Sequence, residues 1–202
     1  MIAPAAFATL SPSEWYAGFA EMLKTAYISE PAIPRAYTDP ELLRTDASLI
    51  APELEKALAF KLRITLEDPR ESGLRSILNF GHTAGHAFES LSIGRGRPLT
   101  HGAAVAHGIL VALILSHFHL NLPSIEAQRF ATAFLRPYYP ALPIDCRDYD
   151  RLLSLMAHDK KNDRPDAISF VLLRAPGSPE PGCHITPSSI AAALDIYRDL
   201  SQ

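Results

Sequence analysis

The sequence predicts a mainly α-helical domain of about seven or eight helices, with one small β-hairpin near the C-terminus. Helix-start signals recur along the whole chain, whereas only one segment has the β-branched and aromatic composition of a strand. No alternation of strands and helices is visible, and no G-x-G-x-x-G motif follows a strand, so we expect no dinucleotide-binding half. The 202 residues are 48% hydrophobic, which is enough for a single domain over residues 1–202 with its own core.

Each predicted helix begins at a capping residue or a proline, because both suit the first turn of a helix. The clearest start is S-P-S-E at residues 11–14, a capping box with proline at the first helical position. The predicted helices run from Ser11 to about Ser29, from Asp39 over a short stretch, from Ala51 to about Leu66, from about Gly73 to Leu91, from Thr100 to Leu120, from Pro123 to about Arg136, from Asp148 to His158, and from Thr186 to about Leu200.

The predicted hairpin rests on the segment AISFVLL, residues 167–173. Its partner is CHI, residues 183–185, and the sequence between them, RAPGSPEPG, is rich in turn-forming residues. This hairpin is the only sheet that we expect.

The most apolar segment, residues 103–120, has nearly the length of a membrane span. His107, Ser116, His117 and His119 interrupt it. We therefore interpret it as a helix that is buried on most sides within a helical bundle, and we interpret its three histidines as structural.

Charge and cysteine content exclude several classes of function. The net charge is −3, so the chain lacks the basic surface that nucleic acids and anionic membranes require, and we expect neither as a partner. Cys146 and Cys183 match no metal-ligand or redox spacing, and the first residues lack the basic segment of a signal peptide. The simplest expectation is a cytoplasmic protein.

The segment LRSILNFGHTAGHAFESL, residues 74–91, carries an unusual set of polar side chains. The residues that fall within one arc of roughly 80° on a helix are Arg75, Asn79, His82, His86 and Glu89. A solvent-facing helix normally presents Lys and Glu, whereas imidazole, guanidinium and carboxamide groups suit a cavity that binds anions and metal. Gly81 and Gly85 each cost about 1 kcal/mol of helix stability, which indicates that a neighbouring helix or a ligand comes close.

The two histidines allow two interpretations. Imidazoles at i and i+4 can chelate zinc jointly, as in H-E-x-x-H helices, or they can have different roles. No glutamate follows His82, so the spacing leaves the ligand set open.

Two further features carry polar groups. Glu21 and Lys24 are three residues apart in a mostly apolar helix, and spacing alone favours an ordinary surface ion pair. His101 begins the buried helix, where a side chain reaches a cavity more easily than from the middle of a helix.

Four segments, taken in order, resemble the C-terminal helical domain of the 3-dehydroquinate synthases. They are LSPSEWYAGFAEMLK, KLRITLEDPRESGLRSILNFGHTAGHAFE, HGAAVAHG and MAHDKKND, and they run through nearly the whole chain. The resemblance implies a metal- and substrate-binding domain, part of a two-domain enzyme whose NAD-binding N-terminal domain is absent here. No residue of this chain is therefore expected to bind NAD.

The resemblance also implies roles for individual residues. It implies a divalent metal, Zn²⁺ or Co²⁺, bound by Glu21, His82 and His101. It assigns proton transfer to His86 and Glu71, so that His86 is not a ligand. The positions that match substrate-binding residues are Lys24, Lys61, Arg75, Leu78, Asn79 and one of Lys160 and Lys161, of which we favour Lys160.

The function implied is that of a lyase in aromatic amino-acid biosynthesis through the shikimate pathway. The family converts 3-deoxy-D-arabino-heptulosonate 7-phosphate into 3-dehydroquinate with release of phosphate, by a cycle in which NAD takes and returns a hydride. A homodimer and a separately supplied NAD-binding domain are the protein partners that the resemblance implies. Without that domain, we expect the isolated chain to be inactive or nearly so.

One position departs from the family pattern. The family usually reads H-G-E-A-V-A where this chain reads HGAAVA, so Ala103 lacks a carboxylate two residues from His101. The alternatives to a 3-dehydroquinate synthase domain are another sugar-phosphate cyclase, a metal-dependent alcohol dehydrogenase domain, and a non-catalytic helical module that binds metal.

Overall fold

The structure is a computed structural model that describes residue 7 and residues 9–71, 73–158 and 166–202. The described residues form nine α-helices and one two-stranded sheet, so the predicted mainly α architecture is confirmed. The helices are α1 (Pro12–Ser29), α2 (Pro40–Thr45), α3 (Ala47–Glu67), α4 (His82–Gly94), α5 (His101–Leu120), α6 (Ile125–Phe130), α7 (Arg136–Tyr138), α8 (Tyr149–Ala157) and α9 (Pro187–Leu200). The strands are β1 (Ile168–Ala175) and β2 (Ser178–Ile185).

Helix α5 lies at the centre of the fold. It is long and apolar enough to cross a membrane, but 78% of its most apolar window is buried inside the protein. Helices α1, α4 and α9 and strand β1 pack around it. The prediction of a buried core helix is therefore confirmed, and the apolar composition is explained by burial on nearly every side.

Three glycines allow α4 and α5 to approach each other closely. A Cβ atom added to Gly108 would lie 2.0 Å from the carbonyl oxygen of Gly81 and 2.6 Å from the nitrogen of Gly85. At Gly85 an added Cβ would lie 3.2 Å from the backbone of Ala104 and Val105. The predicted close approach at Gly81 and Gly85 is thus made by a neighbouring helix, which runs antiparallel to α4.

Several predicted helix starts are confirmed by their hydrogen bonds. Ser11 and Glu14 form the capping box of α1. The side chain of Thr100 accepts a hydrogen bond from the Ala103 nitrogen, and that of Thr186 accepts one from the Ser189 nitrogen. Each cap satisfies a backbone donor that a helix leaves without a partner in its first turn.

The single helix predicted from about Gly73 to Leu91 is wrong. A 3₁₀ segment, Leu74–Asn79, comes first, and α4 begins only at His82. Gly81 separates the two with a φ of 77°, a left-handed conformation that glycine adopts without steric cost. Arg75 and Asn79 therefore do not share a continuous helical face with His82.

The predicted start of α3 at Ala51 is also wrong. The helix begins at Ala47, because the Asp46 side chain accepts a hydrogen bond of 2.9 Å from the Ser48 nitrogen and caps it there. Pro52 consequently lies inside the helix.

The predicted hairpin is confirmed, with a second strand longer than the expected CHI segment. Strands β1 and β2 pair antiparallel, with Ile168 opposite Ile185. The Ser116 hydroxyl, on α5, accepts a hydrogen bond of 2.9 Å from the Leu173 nitrogen. The Thr83 hydroxyl, on α4, donates one of 3.1 Å to the Ser169 carbonyl. The hairpin is thereby fastened to both central helices.

A buried histidine joins α5 to the C-terminal part of the chain. One ring nitrogen of His107 lies 2.9 Å from the Pro140 carbonyl, and the other lies 2.8 Å from the Tyr197 hydroxyl. Burial lowers the pKa of His107 to about 4, against the opposing effect of the Pro140 hydrogen bond. The ring is therefore neutral in the folded protein, as its structural role requires.

We predict that Gly108→Ala destabilises the protein by about 2–3 kcal/mol, because its Cβ would collide with the backbone of α4. Gly18→Ala is the matched control, since nothing lies within 4 Å of an added Cβ there. It should stabilise the exposed face of α1 by about 1 kcal/mol. Urea unfolding measures both, and equal effects of the two substitutions would contradict the close packing of α4 on α5.

We predict a pH dependence of stability that arises from His107. The folded-state pKa of about 4 lies below the unfolded value of about 6.5, so the unfolded chain binds more protons between these values. The free energy of unfolding should therefore fall as the pH is lowered through this window. His107→Leu should be about 1–3 kcal/mol less stable at pH 7, because it leaves two polar groups unpaired.

The same variant should lose less stability than the wild type on going from pH 6.5 to pH 4.5. His119→Leu, at an exposed position of the same helix, is the control and should keep the wild-type dependence. Urea unfolding at both pH values measures the difference, and a wild-type slope in His107→Leu would refute the prediction.

Candidate metal and substrate site

Three imidazoles meet where α4 and α5 begin. His82 and His86 lie on the first turns of α4, and His101 is the first residue of α5. One nitrogen from each ring lies within 4.8 Å of the nitrogens of the other two. His82 is half-buried, whereas His86 and His101 are exposed, so the cluster opens to solvent on one side.

Helix α1 brings a carboxylate to the buried side of this cluster. Glu21 Oε1 lies 3.6 Å from His82 Nε2, and Oε2 lies 2.8 Å from the Lys24 Nζ. Lys61, on α3, places its Nζ 3.3 Å from the same Oε2. Because Lys24 is only 3% exposed, the interpretation of Glu21 and Lys24 as a surface pair is wrong.

The charges of these groups follow from their burial and their neighbours. Burial alone would raise the pKa of Glu21, but Lys24, together with His82 and Lys61, lowers it to about 2. Burial lowers the pKa of Lys24, although Glu21 opposes this shift. Burial and then the positive charge of Lys24 lower the pKa of His82 to about 4. At neutral pH the site therefore holds an ionised carboxylate beside a neutral imidazole.

This pair of groups fits a metal ion. His82 Nδ1 lies 3.3 Å from the Phe80 carbonyl, which favours a proton on Nδ1 and leaves the lone pair of Nε2 facing Glu21. Glu21 Oε1 is buried and has no hydrogen-bond partner among the described residues. A separation of 3.6 Å is too long for a hydrogen bond, so two acceptor atoms face each other. Carboxylate oxygen and imidazole nitrogen are ligands that Zn²⁺ and Co²⁺ accept.

His101 is oriented by a carboxylate that the sequence analysis placed on the polar face but gave no role. Its Nδ1 lies 3.3 Å from Glu89 Oε2. A carboxylate in this position fixes the orientation of an imidazole and makes its other nitrogen a better ligand. Ala103 is buried and lines a separate cavity of about 330 Å³ with Tyr16 and Tyr138.

A tight loop before α4 holds the next group of predicted residues. Glu71 has a φ of 55°, which is uncommon for a residue other than glycine, and its Oε1 accepts a hydrogen bond of 3.1 Å from Asn79 Nδ2. Buried Asp68 accepts hydrogen bonds of 2.9 Å from the nitrogens of Gly73 and Arg75. Asp68 belongs to no motif of its own, so the sequence alone does not predict this role.

The remaining predicted residues are placed as follows. The Arg75 guanidinium lies 3.4 Å from the Pro69 carbonyl, and Leu78 packs partly buried against the core. Lys160 and Lys161 lie outside the described residues. The structure thus joins Glu21, Lys24, Lys61 and His82 by direct contacts, gathers the three imidazoles, and pairs Glu71 with Asn79.

The fold is shared with solved structures of synthases that contain a metal ion and NAD⁺. A 2-deoxy-scyllo-inosose synthase, solved with carbaglucose-6-phosphate, NAD⁺ and Co²⁺, has a TM-score of 0.75 at 20% identity, covering 95% of this chain and 54% of that one. A 2-epi-5-epi-valiolone synthase from Streptomyces hygroscopicus, with NAD⁺ and Zn²⁺ bound, has a TM-score of 0.70 at 21% identity, covering 97% and 54%. The chain therefore shares the fold of these synthases.

The chain belongs to the 3-dehydroquinate synthase family. Residues 18–162 match the family described as 3-dehydroquinate synthase C-terminal. A 3-dehydroquinate synthase of Parabacteroides distasonis is 42% identical over 194 residues, which are 95% of this chain and 54% of the relative. One from Leptospira interrogans is 35% identical over 177 residues, 85% and 46% respectively. The chain spans about half the length of these relatives.

Proposed function

We propose that this chain supplies the metal- and substrate-binding half of a 3-dehydroquinate synthase. The complete enzyme would be a lyase that converts 3-deoxy-D-arabino-heptulosonate 7-phosphate into 3-dehydroquinate and phosphate. The observation that carries the proposal is the partly buried Glu21 carboxylate, whose buried Oε1 faces the His82 imidazole. The chain's relatives bear the name 3-dehydroquinate synthase. Because the chain spans about half of those relatives, NAD⁺ is proposed to bind to a second domain.

We propose Glu21, His82 and His101 as the ligands of Zn²⁺ or Co²⁺. Oε1 of Glu21 supports this set because it is buried beside His82 without a hydrogen-bond donor among the described residues. His101 supports it because Glu89 orients its ring. When bound, a divalent metal lowers the free-energy cost of an alkoxide at a substrate hydroxyl.

The residues around this centre have complementary proposed roles. Lys24 and Lys61 keep Glu21 ionised, and they can also attract the carboxylate and phosphate of the substrate. Arg75 can bind such groups with two parallel hydrogen bonds. The other residues proposed to contact the substrate are Leu78, Asn79 and one of Lys160 and Lys161.

We propose that His86 and Glu71 transfer protons. His86 is exposed at the opening of the imidazole cluster, where a substrate would enter, and imidazole is the side chain that most often transfers protons in enzymes. The left-handed backbone and the Asn79 hydrogen bond fix the position of the Glu71 carboxylate. Strained residues of this kind are frequent at active sites.

A cytoplasmic homodimer completes the proposal. Two free cysteines and a mostly buried apolar helix support this location. A related sugar-phosphate cyclase is the second candidate, favoured by the shared fold of the 2-deoxy-scyllo-inosose synthase.

We predict that the 202-residue chain binds about one Zn²⁺ through three side chains. Glu21→Ala, His82→Ala and His101→Ala should each weaken binding by about 100-fold or more, whereas His86→Ala should weaken it by less than about fivefold. His119→Ala, an exposed histidine of α5, is the control and should bind like the wild type. Competition with a chromophoric chelator measures the affinities.

The ligand set would be overturned if His86→Ala lost as much affinity as His82→Ala while Glu21→Ala lost none. That result would show that the three imidazoles bind the metal and that the carboxylate does not.

The function is tested by a chimaera in which this chain replaces the matching 54% of the Parabacteroides distasonis relative. We predict that the chimaera releases phosphate from the substrate and forms 3-dehydroquinate with NAD⁺ and Zn²⁺. The 202-residue chain alone should show no turnover. The chimaera that carries His86→Ala should bind Zn²⁺ normally, but its turnover should be at least about 100-fold slower. A metal-loaded chimaera that forms another cyclic product would support the second candidate instead.

A further inference from the structure

A second cavity lies away from the imidazole cluster. It has a volume of about 420 Å³, within the range typical of small-molecule sites. The C-terminal part of α1, the loop after it, α6 and the hairpin turn enclose it. Pro31, Ile33, Phe134 and Pro176 are among the apolar residues that line it, and none of the residues proposed to bind metal or substrate does.

The hairpin turn holds one wall of this cavity in place. The Gly177 nitrogen donates a hydrogen bond of 2.8 Å to the Tyr27 carbonyl. A Cβ atom added to Gly177 would lie 2.9 Å from the backbone of Glu30, so turn and helix end are in close contact. The hairpin turn and the end of α1 are therefore held together on this side of the cavity.

A buried tyrosine presents its hydroxyl to the cavity. Tyr27 is 1% exposed and lines the cavity wall, and its hydroxyl makes no hydrogen bond to any described residue. Burial and then the nearby Glu126 carboxylate raise its pKa, so the hydroxyl keeps its proton. A ligand atom in the cavity could accept a hydrogen bond from this hydroxyl.

Two opposite charges stand beside this hydroxyl. Glu126 and Arg129 both line the cavity, with Arg129 Nη1 3.5 Å from Glu126 Oε1. The Glu126 side chain is 19% exposed and the Arg129 side chain 68%. The carboxylate is thus the less exposed of the two groups, and most of the Arg129 side chain faces solvent.

The helix that carries these charges continues into a π-helical segment, Ala131–Leu135. Phe134 and Ala133, both in this segment, form part of the cavity wall. π-Helical turns are rare and occur frequently at functional sites. The irregular segment therefore coincides with the unpaired hydroxyl and the charge pair.

We propose that this cavity binds a zwitterionic α-amino acid with an apolar side chain. The apolar wall would contact the side chain, Glu126 would bind the ammonium group, and Arg129 would bind the carboxylate. The Tyr27 hydroxyl would donate a hydrogen bond to the same polar end. This binding site is independent of the metal site, so it stands or fails separately from the proposed function.

Isothermal titration of the 202-residue chain with three probes of the same shape tests this proposal. L-Phenylalanine carries both charges, phenethylamine lacks the carboxylate, and 3-phenylpropionate lacks the ammonium group. L-Phenylalanine should bind at least about tenfold more tightly than either analogue, because each missing charge removes a charged hydrogen bond. Glycine, which has both charges but no apolar body, should bind still more weakly.

Substitutions of the cavity residues test which side chains contact the bound amino acid. Glu126→Gln and Arg129→Gln should each weaken L-phenylalanine binding by about tenfold or more, and Tyr27→Phe by about threefold to tenfold. Glu67→Gln, at an exposed carboxylate on α3, is the matched control and should leave binding unchanged. Because Arg129 is exposed, its variant should fold even if Tyr27→Phe is destabilised.

Three results would overturn the proposal. They are the absence of saturable binding of every probe at millimolar concentration, equal binding of L-phenylalanine and phenethylamine, and equal affinity of the Glu126→Gln and Glu67→Gln variants. Zn²⁺ affinity, measured on the same variants, should stay at the wild-type value, which separates this test from that of the metal site.

Discussion

The close contact between α4 and α5 is the constraint on which the candidate site depends. Gly81, Gly85 and Gly108 let the two backbones touch, so that the start of α5 lies beside the first turns of α4. His101 then falls beside His82 and His86, although these residues are far apart in sequence. Larger side chains at the three glycines would separate the helices and the imidazoles with them.

Helix α1 adds the Glu21–Lys24 ion pair to the site, beside the contact between α4 and α5. A buried pair is costly unless both charges are well compensated, and here Glu21 has two lysines and an imidazole around it. One carboxylate oxygen receives both lysines, while the other faces the imidazole without a donor among the described residues. Such an arrangement is poorly explained by stability alone and is well explained by a cation binding between carboxylate and imidazole.

The parts of the fold that the sequence predicts well are those set by local chemistry. Caps at Ser11, Thr100 and Thr186 depend on a few neighbouring residues, and the burial of α5 follows from its composition. The break before α4 is different. Periodicity treats Gly81 as a weak helical residue, whereas in the fold Gly81 is left-handed and its backbone contacts Ile109 and Gly108. The glycines of residues 74–91 indicate a close approach, but no pattern in this segment shows that the helix breaks at Gly81.

The candidate site, like the fold, could be predicted only in part from the sequence. Resemblance to a family identified Glu21 and His101 as partners of His82, and the structure brings Glu21 and His101 to it from two other helices. Spacing alone suggested a surface pair for Glu21 and Lys24, because exposure cannot be derived from an i, i+3 interval. Asp68 and Glu89 act through backbone nitrogens and a ring nitrogen that only the folded chain places beside them.

The ligand set is tested most directly by an anomalous difference map at the zinc edge, from crystals of the chain grown with Zn²⁺. We expect one strong peak in contact with Glu21 Oε1 and with one nitrogen from each of His82 and His101, and no bond to His86. A peak bound by the three imidazoles, with the Glu21 carboxylate remote from it, would contradict the division of roles between the two histidines of α4.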